Sequence, residues 1–290
     1  MLYLVKIMYF EDYSKFISAY EDFENSKYVI FGIPFDATTS YKPGARFGPD
    51  EVRGASWGLE TFSPILKKDL IDLKICDKYN ISIEGNQETI INRAYLAAKN
   101  IMENGKVPVM IGGEHSVTYP MIKAVKDVYS DFIIIHFDAH CDLRNSYNGN
   151  EQSHASVIRR SYDFTKDIFQ FGIRSGDREE WEFGWENTNI SMNMPTKTDI
   201  EKIKELNKPI YITIDIDVLD PAFVPGTGTP EPCGFSPKEL IESLYLLKEL
   251  KDRIVGFDVV EVSPHYDLGK ITSVTAAKII RELMLIIDRQ

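Results

Sequence analysis

Three short segments of this chain concentrate residues able to bind metal ions: Gly112-Gly113-Glu114-His115-Ser116, Asp138-Ala139-His140-Cys141-Asp142 and Asp215-Ile216-Asp217. Side chains two apart in an extended segment point the same way, with a rise of about 3.3 Å per residue. Asp138, His140 and Asp142 are therefore expected on one side of their segment, and Asp215 and Asp217 on one side of theirs. With His115 this makes four carboxylates and two imidazoles. So many carboxylates packed without cations would repel one another and lose their hydration. Two divalent cations resolve the conflict, because bridging carboxylates can hold such a pair roughly 3.5–4 Å apart. An oxygen-rich set with two imidazoles favours Mn²⁺ over thiolate-preferring zinc. Water bound between such ions ionises near neutral pH, which points to hydrolysis.

Taken singly, these pieces are weak. A lone DxD at a strand end is often a turn or a helix cap, and Gly112-Gly113 alone could be only a tight turn. DxHxD is more specific, because three metal-capable residues at period two rarely follow an apolar run by chance. His136 lies inside that run and reads as a hydrogen-bonded core histidine turned away from the ligand trio.

The elements before these segments must bring them together. The runs 28–33, 107–111, 132–137, 168–171, 209–214 and 254–260 are rich in Val, Ile and aromatic residues and read as strands buried on both faces. Between them lie helical patterns. Ile90, Ala94, Ala97, Ala98 and Ile101 form a stripe stopped by Gly105, and Ser236-Pro237-Lys238-Glu239 is a capping-box start. Ala276, Ile280, Leu283 and Ile287 mark a C-terminal helix. Strand and helix in alternation predict a parallel sheet covered by helices, an α/β/α unit occupying residues 1–290 as one domain. In such sheets ligands bind beyond the carboxyl ends of the strands, where all three segments fall.

GGEHS, DAHCD, DIDVLDPAFVPGTGTPEP and FDVVEVSPHYD resemble the successive signatures of the ureohydrolase family, which includes arginase, agmatinase and guanidinobutyrase. The resemblance runs from about Gly32 to the last helix. It implies a three-layer α/β/α fold with an eight-stranded parallel sheet and two Mn²⁺ ions per subunit. One ion would be held by His115, Asp138, Asp142 and Asp215, and the other by His140, Asp138, Asp215 and Asp217. Asp138 and Asp215 would bridge, with a nucleophilic hydroxide between the ions. Glu261, at the end of the 254–260 run, matches the carboxylate that grips the guanidinium group. His154 stands where the family has a proton-shuttling histidine, although Ala155 follows it where many members have Gly. Asp142 would relay a proton to the leaving amine.

The loop RNSYNGNEQ (144–152) and the segment GIRSGDREE (172–180) look most like the agmatinase branch, so agmatine, cleaved to putrescine and urea in polyamine biosynthesis, is the expected substrate. Aminopropylagmatine, guanidinobutyrate and arginine are the alternatives within the family. A non-enzymatic binding relative is a more distant one, weakened by the presence of all six ligands. A deacetylase-like metal hydrolase is disfavoured by the paired DID and EVSP. The family also implies a homo-oligomer, trimer or hexamer.

Composition narrows the field further. A net charge of −11 over 290 residues is unsuited to phosphate backbones, so no nucleic acid is expected, and a small cationic guanidine suits the field better. No stretch approaches the roughly 18 apolar residues that span a bilayer. Residues 1–10 are apolar but run into Glu11 and Asp12 without a cleavage site, which predicts a cytoplasmic protein with no membrane association. Cys76, Cys141 and Cys233 are too few and too scattered for a disulfide framework or a thiolate metal site. The glycines of 225–230 precede Pro230 rather than a helix and make no dinucleotide fingerprint. Ser116 and Ser175 lack a nucleophile elbow. Cys233 occupies a position where relatives usually carry Gly.

Overall fold

The computed structural model describes residues 12–289; the apolar start on which the absence of a leader was judged lies outside them. Eight strands form one sheet: β1 (Tyr28–Ile33), β2 (Ile75–Asn80), β3 (Val107–Gly112), β4 (Ile133–Phe137), β5 (Ile168–Phe171), β6 (Asn189–Ser191), β7 (Ile210–Asp215) and β8 (Ile254–Val260). Their spatial order is β2-β1-β3-β8-β7-β4-β5-β6, and every neighbouring pair is parallel. This is the parallel eight-stranded sheet that the motifs imply. The six apolar runs are six of its strands, including the four at the centre.

Those central strands are buried on both faces, which is why they read as continuous apolar runs. One face packs on a core of Ile212, Ile214, Phe257, Val259 and the apolar side of the C-terminal helix (Ile271–Ile287). The other packs on a core that includes Met110, Ile134 and Tyr211, covered by α1 (Gln87–Glu103) and α2 (Thr118–Tyr129). Each fully buried aliphatic side chain contributes about 1.5–3 kcal/mol.

Helix ends follow the local chemistry. Asn86 caps α1 by accepting from the N–H of Thr89. At its other end the N–H of Gly105 reaches Met102 O and that of Lys106 reaches Ile101 O, with Gly105 at φ 68°. Glycine supplies that left-handed turn without strain. The expected box at Ser236 and Glu239 starts the helix Pro237–Leu246.

Candidate metal centre

The four central strands, β3, β8, β7 and β4, carry every predicted site residue except His154 at or just beyond their carboxyl ends. His115 follows β3 in a 3₁₀ turn, Glu261 follows β8, Asp215 ends β7 with Asp217 in the next turn, and Asp138 to Asp142 follow β4. His154 opens the 3₁₀ turn His154–Ser156. All are buried or half-buried around a cavity of about 360 Å³ whose wall includes His115, His140, Asp142, His154, Asp215 and Glu261.

Nδ1 of His115 lies 3.0 Å from Asp138 Oδ2, 3.1 Å from Asp142 Oδ2 and 3.4 Å from Asp215 Oδ2. Nδ1 of His140 lies 3.1 Å from Asp217 Oδ2 and 3.5 Å from Asp138 Oδ1. Asp138 thus stands between the two imidazoles. All six predicted ligands meet in one place.

Asp142 reaches it differently from the extended geometry expected for DxHxD. Beyond Phe137 the chain leaves β4, and Asp142 takes φ 53°, a left-handed conformation uncommon for a residue with a side chain. Its carbonyl accepts the N–H groups of Ile158 and Arg159, both at 3.1 Å. The trio therefore converges by a turn pinned to the next helix, not by strand alternation. Glu261 is likewise left-handed, at φ 65°. Its backbone N–H donates to Gly113 O, while its Oε1 accepts the N–H of His115 at 2.8 Å.

His136 requires a correction. It is a buried, hydrogen-bonded histidine as expected, but it is not turned away: residues 136 and 138 are two apart and share a face. Its Nε2 lies 2.8 Å from Asp138 Oδ2, and its Nδ1 lies 3.1 Å from the Gln170 amide. That amide nitrogen also donates to Cys141 O, so His136 Nδ1 is the acceptor and Nε2–H donates to Asp138.

The electrostatics fit bound cations. Burial pushes Asp142 up to about 7, with Asp138 adding to the rise, and it holds Asp215 well above the carboxylate range beside Asp217 and Asp138. Glu261 is raised by burial and by Glu114. Asp138, although buried, is held well below the range by His115, His136 and His140. Burial acts to lower His115 and His140, yet their carboxylate neighbours hold both well above the ordinary histidine value. His154, by contrast, is lowered to about 4 by burial, then by His115 and His140.

A second test of fit lies at His115 itself. Its Nε2 meets Thr213 Oγ1 at 2.9 Å, and that hydroxyl donates its own proton to Asp258. In the neutral ring Nε2 must therefore carry the proton, and the lone pair lies on Nδ1. Nδ1 is buried and makes no hydrogen bond although three carboxylate oxygens surround it. A lone pair facing three anions is repulsive, which is why the metal-free ring is held protonated and why a cation among them would take that proton's place.

The matching segment extends over residues 26–286 when the chain is compared with the arginase family. The chain belongs to the arginase family of metal-dependent ureohydrolases. It is 42% identical over 278 residues to the agmatinase of Bacillus subtilis, covering 93% of this chain and 95% of that one. It is 38% identical over 263 residues to the N(1)-aminopropylagmatine ureohydrolase of Thermococcus kodakarensis, covering 89% of each. Its fold superposes on the crystal structure of agmatine ureohydrolase of Thermoplasma volcanium with a TM-score of 0.85 at 33% identity, over 98% of this chain and 97% of that one.

Several further groups around this family site lie inside the quoted segments but were not singled out by type or spacing. Arg174 donates to five carbonyls, those of Gly172, Asp217, Val218, Glu231 and Pro232, tying the turn after β7 to the loop that ends near Cys233. Within that loop Thr229 lines the cavity and donates to Asp217 at 3.1 Å. Glu114, between Gly113 and His115, is fully buried and accepts from Thr38, Thr39 and Ser116. Burial raises it while these donors act to lower it. Among the described residues no helix is long and apolar enough to cross a membrane.

Proposed function

We infer that this enzyme is an agmatinase, hydrolysing agmatine to putrescine and urea. The observation that carries the reading is the meeting of four carboxylates and two imidazoles in one place, three of the carboxylates around the buried Nδ1 of His115, with Glu261 beside them. The agmatinase relatives at 42% identity support the substrate. So does the cavity wall. Among its described residues Arg144 is the one Lys or Arg, and it is already paired with Asp177 at 2.9 Å and Glu180 at 3.3 Å. No free cation is left there for the α-carboxylate of arginine, whereas agmatine has none to place.

Two Mn²⁺ ions are the proposed cofactors, one facing His115, Asp138, Asp142 and Asp215, the other facing His140, Asp138, Asp215 and Asp217. When bound, such ions lower the pKa of water from about 15.7 towards about 7, supplying hydroxide at neutral pH. The chain's own residues do the rest. Glu261 Oε2, which has no hydrogen-bond partner among the described residues, takes the guanidinium by a charge-assisted pair and fixes its carbon in the cavity. Hydrolysis places oxygen on that carbon and breaks the carbon–nitrogen bond to the alkyl chain. Asp142 passes a proton to the departing amine, and His154, neutral at working pH, exchanges protons with solvent. One water is consumed, and urea and a protonated amine leave.

One sheet carrying all these groups supports treating residues 1–290 as a single ureohydrolase domain. A cytoplasmic trimer or hexamer is proposed from the family alone. The test is urea release from agmatine, aminopropylagmatine, guanidinobutyrate and arginine, with Mn²⁺ present and then chelated. Agmatine should be fastest and chelation should stop turnover; a faster rate with arginine would remove the substrate assignment.

A further inference from the structure

We propose that Thr38, backed by Glu114, is a positioning residue that fixes His154 in its Nδ1-protonated tautomer and so makes Nε2 the basic nitrogen at the cavity. The proposal deepens the reading of His154 as the proton carrier and rests on it.

Thr38 lies beyond β1, in a loop held against the start of the turn after β3. Its backbone N–H donates to Glu114 Oε2 at 2.8 Å and its hydroxyl to Glu114 Oε1 at 2.6 Å. The hydroxyls of Thr39 and Ser116 also donate to Glu114, at 3.1 and 2.6 Å. Four donors converge on one carboxyl group, the arrangement that an acceptor-only carboxylate requires.

A hydroxyl has one proton, and that of Thr38 is committed to Glu114. What its oxygen offers on the other side is lone pairs. There it meets two nitrogens of His154: the backbone N–H at 3.1 Å and Nδ1 at 3.2 Å. Both contacts are favourable only if both nitrogens donate. Nδ1 therefore carries the proton, and a neutral ring then has its lone pair on Nε2, at the edge opposite Thr38. The Tyr147 ring stands edge-on to the imidazole at 5.5 Å between centroids and limits its rotation. The same logic that bares Nδ1 of His115 bares Nε2 of His154, with a threonine hydroxyl and a buried acid as the relay in each.

The experiment is nitrogen NMR of the ¹⁵N-histidine-labelled enzyme loaded with a diamagnetic divalent cation, the His154 signals being assigned by their loss in His154→Asn. Wild type and Thr38→Ser should show a protonated Nδ1 and an unprotonated Nε2. Thr38→Val should shift the proton towards Nε2 and lower kcat by roughly tenfold to a hundredfold, within the range of general acid–base catalysis. KM and metal content should stay as in wild type, and Thr38→Ser should restore kcat. A proton on Nε2 in wild type overturns the proposal, as does Thr38→Val that keeps wild-type kcat. If His154→Asn itself turns over normally, the proton-carrier reading fails, and the NMR pattern still decides the tautomer.

Discussion

The hydroxyl oxygen of Thr213 lies 2.9 Å from Nε2 of His115 and holds that ring edge, so that in the neutral ring it is the buried Nδ1 that stands bare beside three carboxylates. Behind Thr213 stands Asp258, fully buried at the centre of β8, accepting also from Tyr211 at 2.7 Å and Thr118 at 3.1 Å. Burial raises Asp258 to about 6, against His115 and these hydroxyls, which lower it.

Thr213→Val removes the acceptor for Nε2–H at nearly constant volume. The ring is then free to place its proton on either nitrogen, and the tautomer that presents Nδ1 to a cation loses its advantage. Loss of such an orienting partner typically weakens metal binding about 10- to 100-fold. Competition of Mn²⁺ between the variant and a chelator measures this directly. Equal affinity in Thr213→Val and wild type would sink the orienting role.

The pH dependence of metal binding has a fixed sign. In the metal-free protein, carboxylate neighbours hold His115 and His140 well above the usual histidine value despite burial, so both carry an extra proton at neutral pH. A cation requires the neutral rings and must expel those protons. Affinity should therefore rise with pH through and above neutrality. Calorimetric titration with Mn²⁺ in two buffers of different ionisation enthalpy should reveal net proton release; proton uptake would contradict the description of the site.

How much of this could be read in advance depended on burial and on backbone conformation. The central strands were legible because both of their faces are covered, so apart from a few buried polar residues such as His136, Thr213 and Asp258 they are apolar until the strand ends. The edge strands β2 and β6 were not, because ICDKYN and NIS mix polar with apolar residues. In β2 the buried Asp77 is there to pair with Arg53, at 2.8 Å. The metal-capable residues announced themselves by type and spacing, yet the left-handed turn at Asp142 has no signature, since aspartate is not a residue that demands it. Thr38, Glu114, Thr213 and Asp258 were invisible as a group. A hydroxyl or carboxyl that orients a histidine from another strand is defined by a contact across the fold, which no local pattern encodes.

Gly113 ties the loop after β1 to the turn that carries His115. Its N–H donates to Ile33 O at 2.8 Å, and a Cβ placed on it would lie 2.0 Å from Phe35 O. Gly113→Ala must therefore push backbone against backbone, at a cost of about 1–3 kcal/mol or more. A lower Tm by several degrees and weaker Mn²⁺ binding are expected together. Gly54→Ala is the control: nothing lies within 4 Å of its added methyl in the helix Gly48–Ser56, and helix propensity should leave Tm unchanged or slightly raised. Equal effects of the two substitutions would show that the close approach at Gly113 is relieved at no cost.

Glu261→Gln separates charge from shape. The amide oxygen can still accept the N–H of His115, so the turn after β3 should keep its position and metal content should not change. What is lost is the anionic partner of the guanidinium. A hydrogen bond to a charged group contributes about 1.5–3 kcal/mol, which corresponds to a fall in kcat/KM on the order of 10- to 100-fold. Stability should move the other way. Burial and Glu114 hold the Glu261 carboxyl well above its ordinary range, so above the unfolded value near 4.3 its ionisation opposes folding, and that penalty grows as pH rises. In chelated enzyme at neutral pH, Glu261→Gln should therefore melt higher than wild type, while turnover of the Mn²⁺-loaded variant drops. Full activity with a lowered melting temperature would make Glu261 a structural group and leave the guanidinium without its proposed partner.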